Sequence, residues 1–218
     1  MSGICVSNLK CTCSRESHPS KRIVITGGPG AGKTAVLEIA RKNFCEHISI
    51  LPEAASILFG GGFPRGEGLA SKKASQRAIF HIQRELEQLV EEERKSAITL
   101  CDRGTLDGLA YWPESEEEFW KEVGSTKERE LSRYAAVIHM RTPPAEQGYN
   151  FQNPVRVESA MQAASVDRKI EHAWNDHPHR YFVTSENDFL EKVQTAINLI
   201  KEHLPECCKH HEIRELKK

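Results

Sequence analysis

The chain has 218 residues, 39% hydrophobic and 28% charged, with a formal net charge of −1. That length suits one α/β domain with a full core, and the balanced charge implies no broad attraction to nucleic acid or to an acidic membrane surface. No run approaches the eighteen or so apolar residues of a membrane helix, and Met1–Ser20 lacks the apolar core of a signal peptide. The seven cysteines, an odd number without a secretion signal, favour reduced thiols and a cytoplasmic setting.

Residues 1–20 read as a flexible leader carrying Cys5, Cys11 and Cys13, with His18 nearby. A metal could use these ligand types, but their spacing matches no common zinc pattern. Lys21–Thr26 is the first strand, almost wholly apolar and therefore covered on both faces. It runs into Gly27-Gly28-Pro29-Gly30-Ala31-Gly32-Lys33-Thr34, which meets every fixed position of G-x-x-x-x-G-K-[ST]. Glycines permit the positive φ angles and close approach that phosphate wrapping needs. The loop N–H groups then form an anion nest at the start of a helix. Lys33 is expected to reach the β and γ phosphates, and Thr34 to bind Mg²⁺. The stretch therefore predicts a nucleoside triphosphate as ligand.

The following helix is expected to bury Val36, Leu37, Ala40 and Phe44. A second strand, His47–Leu51, ends at Pro52-Glu53, where the carboxyl ends of strands gather ligands. Glu53 reads either as a group near the phosphates or as a carboxylate satisfying a helix N-terminus. Gly60–Gly68 holds five glycines in nine residues and reads as a mobile loop, with Phe63 and Arg65 offering a stacking face and a phosphate-pairing fork. Ser71–Lys95 follows as a long helix with Ile79, Ile82, Leu86, Leu89 and Val90 on its apolar face.

Ala97–Cys101 is the third strand, closed by Asp102-Arg103-Gly104. An apolar strand ending in Asp places a carboxylate in reach of Mg²⁺ or its waters. Ser115–Glu118 and Ser125–Glu128 resemble capping boxes of short helices. Tyr111, Trp112, Phe119 and Trp120 either wall a pocket or pack locally. Tyr134–Met140 is the fourth strand, with an irregular segment running to Pro154. Val155–Asp176 reads as a helix, and Arg156 or Arg168 in it either closes over the triphosphate or is a solvated charge. Arg180–Thr184 is the fifth strand. Ser185 and Asp188 open a last helix with Phe189, Val193, Ile197, Ile200 and Leu204 on one face. The tail from residue 205, with Cys207-Cys208-Lys209-His210-His211, reads as a polar terminus. The units are thus 1–20, 21–204 and 205–218.

Together, GGPGAGKT at Gly27–Thr34, PEAA at Pro52–Ala55 and DRG at Asp102–Gly104 resemble a kinase-like AAA-domain ATPase family. It is related to the ribosylnicotinamide kinase domain of the bacterial NadR protein. Asn153–Ala160, His177-Pro178 and Asp188-Phe189 are similar to it as well, so the resemblance spans about Lys21 to Leu204. It implies a P-loop NTPase three-layer α/β sandwich, nucleoside-kinase-like, with a parallel five-stranded sheet of order 2-3-1-4-5. One eukaryotic branch of the family is associated with GTP and acidic lipid in membrane traffic. Glu53 and Asp102-Arg103 resemble the acidic and D-R positions of nucleoside and thymidylate kinases, where the acid assists the acceptor hydroxyl and the arginine touches phosphate.

The resulting expectation is a Mg²⁺-dependent ATP-binding phosphotransferase acting on a small hydroxyl acceptor, such as a nucleoside. Gly28, Pro29, Gly30, Ala31, Gly32, Lys33 and Thr34 hold the nucleotide, and Thr34 and Asp102 the metal. Glu53 handles the acceptor, while Arg103 with Arg156 or Arg168 stabilises charge. The alternative is a protein switched by ATP or GTP, with slow hydrolysis and Gly60–Gly68 and Pro143–Pro154 as moving parts. No N-K-x-D stretch for reading guanine occurs, which favours ATP. No nucleic-acid partner is expected, and composition does not point to lipid.

Overall fold

The structure is a computed structural model that describes residues 5–6, 10–11, 13, 18–93, 96–142, 160–184 and 188–209. Its centre is strand β2, Lys21–Thr26, whose Ile23, Val24 and Ile25 are fully buried. β2 pairs in parallel with β4, Ile98–Asp102, on one side and with β5, Ala136–Met140, on the other. β3, Ile48–Leu51, extends the sheet beyond β4, and β6, Arg180–Val183, extends it beyond β5. Counting these five parallel strands in chain order gives 2-3-1-4-5, the α/β order of P-loop kinases. A sixth strand, β1 at Cys5–Val6, pairs antiparallel with β3 at the sheet edge. The sequence carries no strand signal there; two residues supply no period, and only the β3 edge makes them a strand.

Alternation along the strands divides the core. Ile23, Ile25, Ile98, Leu100 and Ile138 face one layer, formed by α1 (Lys33–Asn43) and α7 (Phe189–Glu202). Val24, Cys101 and Val137 face the opposite layer. That layer contains α3 (Leu69–Glu93), a 3₁₀ helix at Thr105–Tyr111 and α6 (Ala160–Ala173). Short helices α2 (Ala54–Gly60), α4 (Glu116–Val123), α5 (Lys127–Leu131) and α8 (Glu206–Lys209) complete the molecule. No helix among the described residues is long and apolar enough to cross a membrane.

Several local expectations are corrected. Gly60–Gly68 does not begin as a loop: its first residue ends α2, and the irregular stretch starts after it. On α3, Leu89 is 46% exposed while Glu87 is 1% exposed. Glu87 is held inside because Arg133 donates to it, Arg22 lies 3.8 Å away and the Tyr134 hydroxyl donates at 2.8 Å. A buried carboxylate so surrounded is paired and hydrogen-bonded, the condition under which burial is tolerated. α5 is capped by Thr126, which accepts from Arg129 N–H, while Ser125 donates to buried Glu130. Ser115 caps α4 as its pattern predicts. Phe119 and Trp112 pack locally with Phe80 and Val123.

Candidate functional site

The loop after β2 lies at the carboxyl end of the central strand, where the sheet connections diverge and ligands gather. Gly27, Gly30 and Gly32 have φ of 129°, 78° and 95°, values that L side chains rarely adopt. At Gly27 the space is closed too, since a Cβ would stand 2.0 Å from the Met140 carbonyl oxygen. Gly32 is the N-cap of α1, with Lys33 and Thr34 in the first turn, so the positive end of the helix opens toward the loop. Thr34 is exposed there. The Lys33 ammonium is buried and donates to the carbonyls of Gly27 and Gly28, at 2.9 and 3.0 Å. Burial lowers its pKa to about 8, aided by the nearby Arg103 and opposed by Asp102, Glu53 and Asp107.

Asp102 ends β4 beside this lysine. Its Oδ1 is buried without a hydrogen-bond partner among the described residues. Burial first, then Glu53 and Asp107, raise its pKa to about 6 against Lys33 and Arg103. An orphaned carboxylate oxygen at a strand end fits a hard, oxygen-seeking cation.

Arg103 carries φ of 72°, the sole positive value at a non-glycine residue among those described. Such a backbone costs about 1–3 kcal/mol. Its N–H donates to the Ile25 carbonyl, hooking the chain over β2. The guanidinium then donates to Glu53 Oε1 at 2.7 Å and to the Gly27 carbonyl and Asp107 Oδ1 at 3.4 Å each. Glu53 is the N-cap of α2, yet its side chain makes no cap bond; it accepts from Arg103 and from the Ser56 hydroxyl at 2.5 Å. Burial alone would raise the Glu53 pKa, but Arg103 and Ser56 outweigh it and hold the carboxyl below its ordinary range.

Sequence reasoning did not single out two further carboxylates. Asp107 accepts from Thr26 Oγ1, from Gly104 N–H at 2.9 Å and from Trp174 Nε1 at 3.3 Å, fastening the turn after Asp102. Asp167 on α6 accepts from the Gly28 N–H at 2.8 Å, with His139 Nε2 at 3.0 Å from the same oxygen. Burial would raise its pKa, and His139, Gly28 and Arg141 together lower it. Asp107 stands five residues after Asp102, a faint signal at best. Asp167 carried none, its partner lying 139 residues away.

Lys33, Glu53, Asp102 and Arg103 therefore converge on the phosphate loop. Arg168 does not: it is exposed and lines a separate groove with Trp112, Lys169 and His172. Arg156 and the Pro143–Pro154 segment lie outside the described residues. Beside the loop opens a cleft of about 880 Å³, walled by α2 and α3 and reaching Glu53, Phe59, Arg65, Gln83, Arg103 and Tyr111. Arg65 lies over the Phe59 ring at 4.5 Å, and Arg103 over the Tyr111 ring at 5.8 Å.

A glycine loop at the central strand, a buried lysine and a strand-end carboxylate define a P-loop protein of the kinase-like type. The model of the AAA domain family matches residues 22–192, and the chain belongs to that family. Thymidylate kinase from Candida albicans superposes with a TM-score of 0.57 at 14% identity, over 84% of this chain and 92% of that one. A NadR protein in complex with NAD and AMP-PNP gives 0.58 at 14% identity, over 91% of this chain. This chain spans about half of that NadR protein, 52% of its length. At such identity the likeness establishes the shared fold. No curated protein matches the sequence.

Proposed function

We propose that the protein is a Mg²⁺-dependent phosphotransferase that moves the γ-phosphoryl of ATP to the hydroxyl of a small acceptor, a nucleoside being the leading class. The observation that carries this is the cleft beside the phosphate loop, with the Glu53–Arg103 pair in its wall. Its volume is that of a small-molecule site, about 300–1,000 Å³. A hydrolytic switch needs only room for water.

In this reading the loop N–H groups and Lys33 hold the β and γ phosphates, Lys33 exchanging its two carbonyl acceptors for phosphate oxygens. Thr34 and Asp102 would hold Mg²⁺, which would supply positive charge to neutralise the phosphates. Glu53, ionised at neutral pH, orients the acceptor hydroxyl and takes its proton. The acceptor oxygen bonds to the γ phosphorus as the bond to the β–γ bridging oxygen breaks, and ADP leaves. Arg103 keeps Glu53 in place and adds positive charge beside the transferring group. The thymidylate kinase and NadR-type folds are consistent with such chemistry.

The test is ADP formation from Mg-ATP across a panel of nucleosides, together with thermal shifts by ATP and GTP. Acceptor-stimulated ADP release is expected, lowered about a hundredfold in Glu53→Gln, with nucleotide stabilisation retained. Nucleotide binding with slow hydrolysis that no acceptor accelerates would overturn the kinase reading in favour of a nucleotide-switched protein.

A further inference from the structure

At the end of α1 opposite the phosphate loop, three separated chain segments bring sulfur and imidazole together. Cys11 precedes β2, Cys45 and His47 join α1 to β3, and Cys208 lies in α8. Their four ligand atoms all lie within 4.8 Å of one another. Cys45 Sγ is 3.4 Å from Cys208 Sγ, and His47 Nδ1 is 3.1 Å from the same sulfur. Cys45, His47 and Cys208 are buried and Cys11 is half-buried. We propose that Cys11, Cys45, His47 and Cys208 form a closed Cys₃His zinc site that pins both ends of the described chain to the domain core.

Geometry, chemistry and topology agree. Zinc binds thiolate at about 2.3 Å and imidazole at about 2.0–2.1 Å, so a tetrahedron has S–S edges near 3.8 Å and S–N edges near 3.6 Å. The Cys45–Cys208 and His47–Cys208 separations fall within about half an ångström of these edges. Three soft thiolates and an imidazole select zinc over the oxygen-seeking divalent ions. A second group adjoins: Cys13, His18 and Cys207 also lie within 4.8 Å of one another, and Cys207 Sγ is 3.7 Å from Cys208 Sγ. Five of the seven cysteines thus meet in one place. As plain packing this would be wasteful, because a thiol is a weak donor and acceptor. As ligation it also serves the fold. β1 is two residues long on the edge of β3, and α8 only four residues. Elements so short gain little from their own hydrogen bonds, and a metal that ties Cys11, after β1, and Cys208, within α8, to Cys45 and His47 supplies the missing constraint.

The experiment uses the full chain, purified without chelator and freed of any affinity tag. Metal analysis is expected to find one zinc per chain, or two if the Cys13–His18–Cys207 group fills as well. Replacement by Co²⁺ should give the ligand-field bands of a tetrahedral site with thiolate charge-transfer absorption, in the wild-type protein and with no variant required. Cys208→Ser and His47→Ala should each lose one cobalt per chain and the bands that belong to it. Stripping the metal should lower Tm by more than about 5 °C while ATP still raises the Tm of the stripped protein. Three results would overturn the site: no bound metal with all thiols reactive, iron in place of zinc, or an intact mass showing a Cys45–Cys208 disulfide.

Discussion

The Asp167 carboxylate accepts the Gly28 N–H at 2.8 Å, so one bond joins α6 to the first turn of the phosphate loop. The same oxygen lies 3.0 Å from His139 Nε2, and Arg141 lies 3.4 Å from the other oxygen. The loop is therefore shaped by its own glycines and also by a helix from the far end of the chain.

Replacing Asp167 by Ala would leave the Gly28 N–H and His139 without this acceptor. An orphaned buried donor costs about 1–3 kcal/mol, and the variant is expected to lose stability by that amount and to bind ATP more weakly. Asp167→Asn should lose less. The Asp167 pKa is lowered in the fold, so its contribution is present above the unfolded carboxylate pKa of 3.8 and is lost as pH falls through the folded value. Denaturant melts at pH 7 and below pH 4 check this: the gap between wild type and Asp167→Asn should close in acid.

Asp102 carries the opposite sign. Its folded pKa is raised to about 6 from 3.8, chiefly by burial. Keeping it ionised therefore opposes folding by about 3 kcal/mol once the pH exceeds the folded value, and this cost fades below it. Asp102→Asn is expected to melt several degrees above wild type at pH 7.5 without ligand, the difference shrinking toward pH 4. With Mg-ATP the order should reverse, because the wild-type carboxylate then gains a cation. A variant that keeps its advantage with Mg-ATP present would remove Asp102 from the metal.

Lys33 is held as a desolvated ammonium with a pKa near 8. Lys33→Met is expected to fold at least as stably without ligand at neutral pH. Each charge-assisted hydrogen bond to phosphate is worth about 1.5–3 kcal/mol, so ATP affinity should fall by roughly tenfold to a hundredfold. Isothermal titration with a non-hydrolysable ATP analogue measures the loss, and undiminished affinity would remove Lys33 from the phosphate site.

The five parallel strands, the long helices between them and the phosphate loop follow from the sequence alone. Lys21–Thr26 has the composition of a doubly covered strand, and the glycine pattern beyond it satisfies a backbone requirement local to eight residues. Helix faces such as Val36, Leu37 and Ala40 follow from spacing for the same reason, since a period is a property of neighbours. Tertiary structure alone decided which charges are structural and which face the site. Glu87 lies buried on α3 because Arg133 and Tyr134 come to it from another segment, and Leu89 is turned outward in consequence. Asp167 reaches the loop and Asp107 reaches Arg103 beside it, while Arg168 turns to a different groove, one residue of helix rotation away from Asp167. The cysteines near the two ends have no meaningful spacing in the chain. They gain one only when the segment after β1, the turn before β3 and α8 come together, because ligand geometry is set by distances in space and not by intervals in sequence.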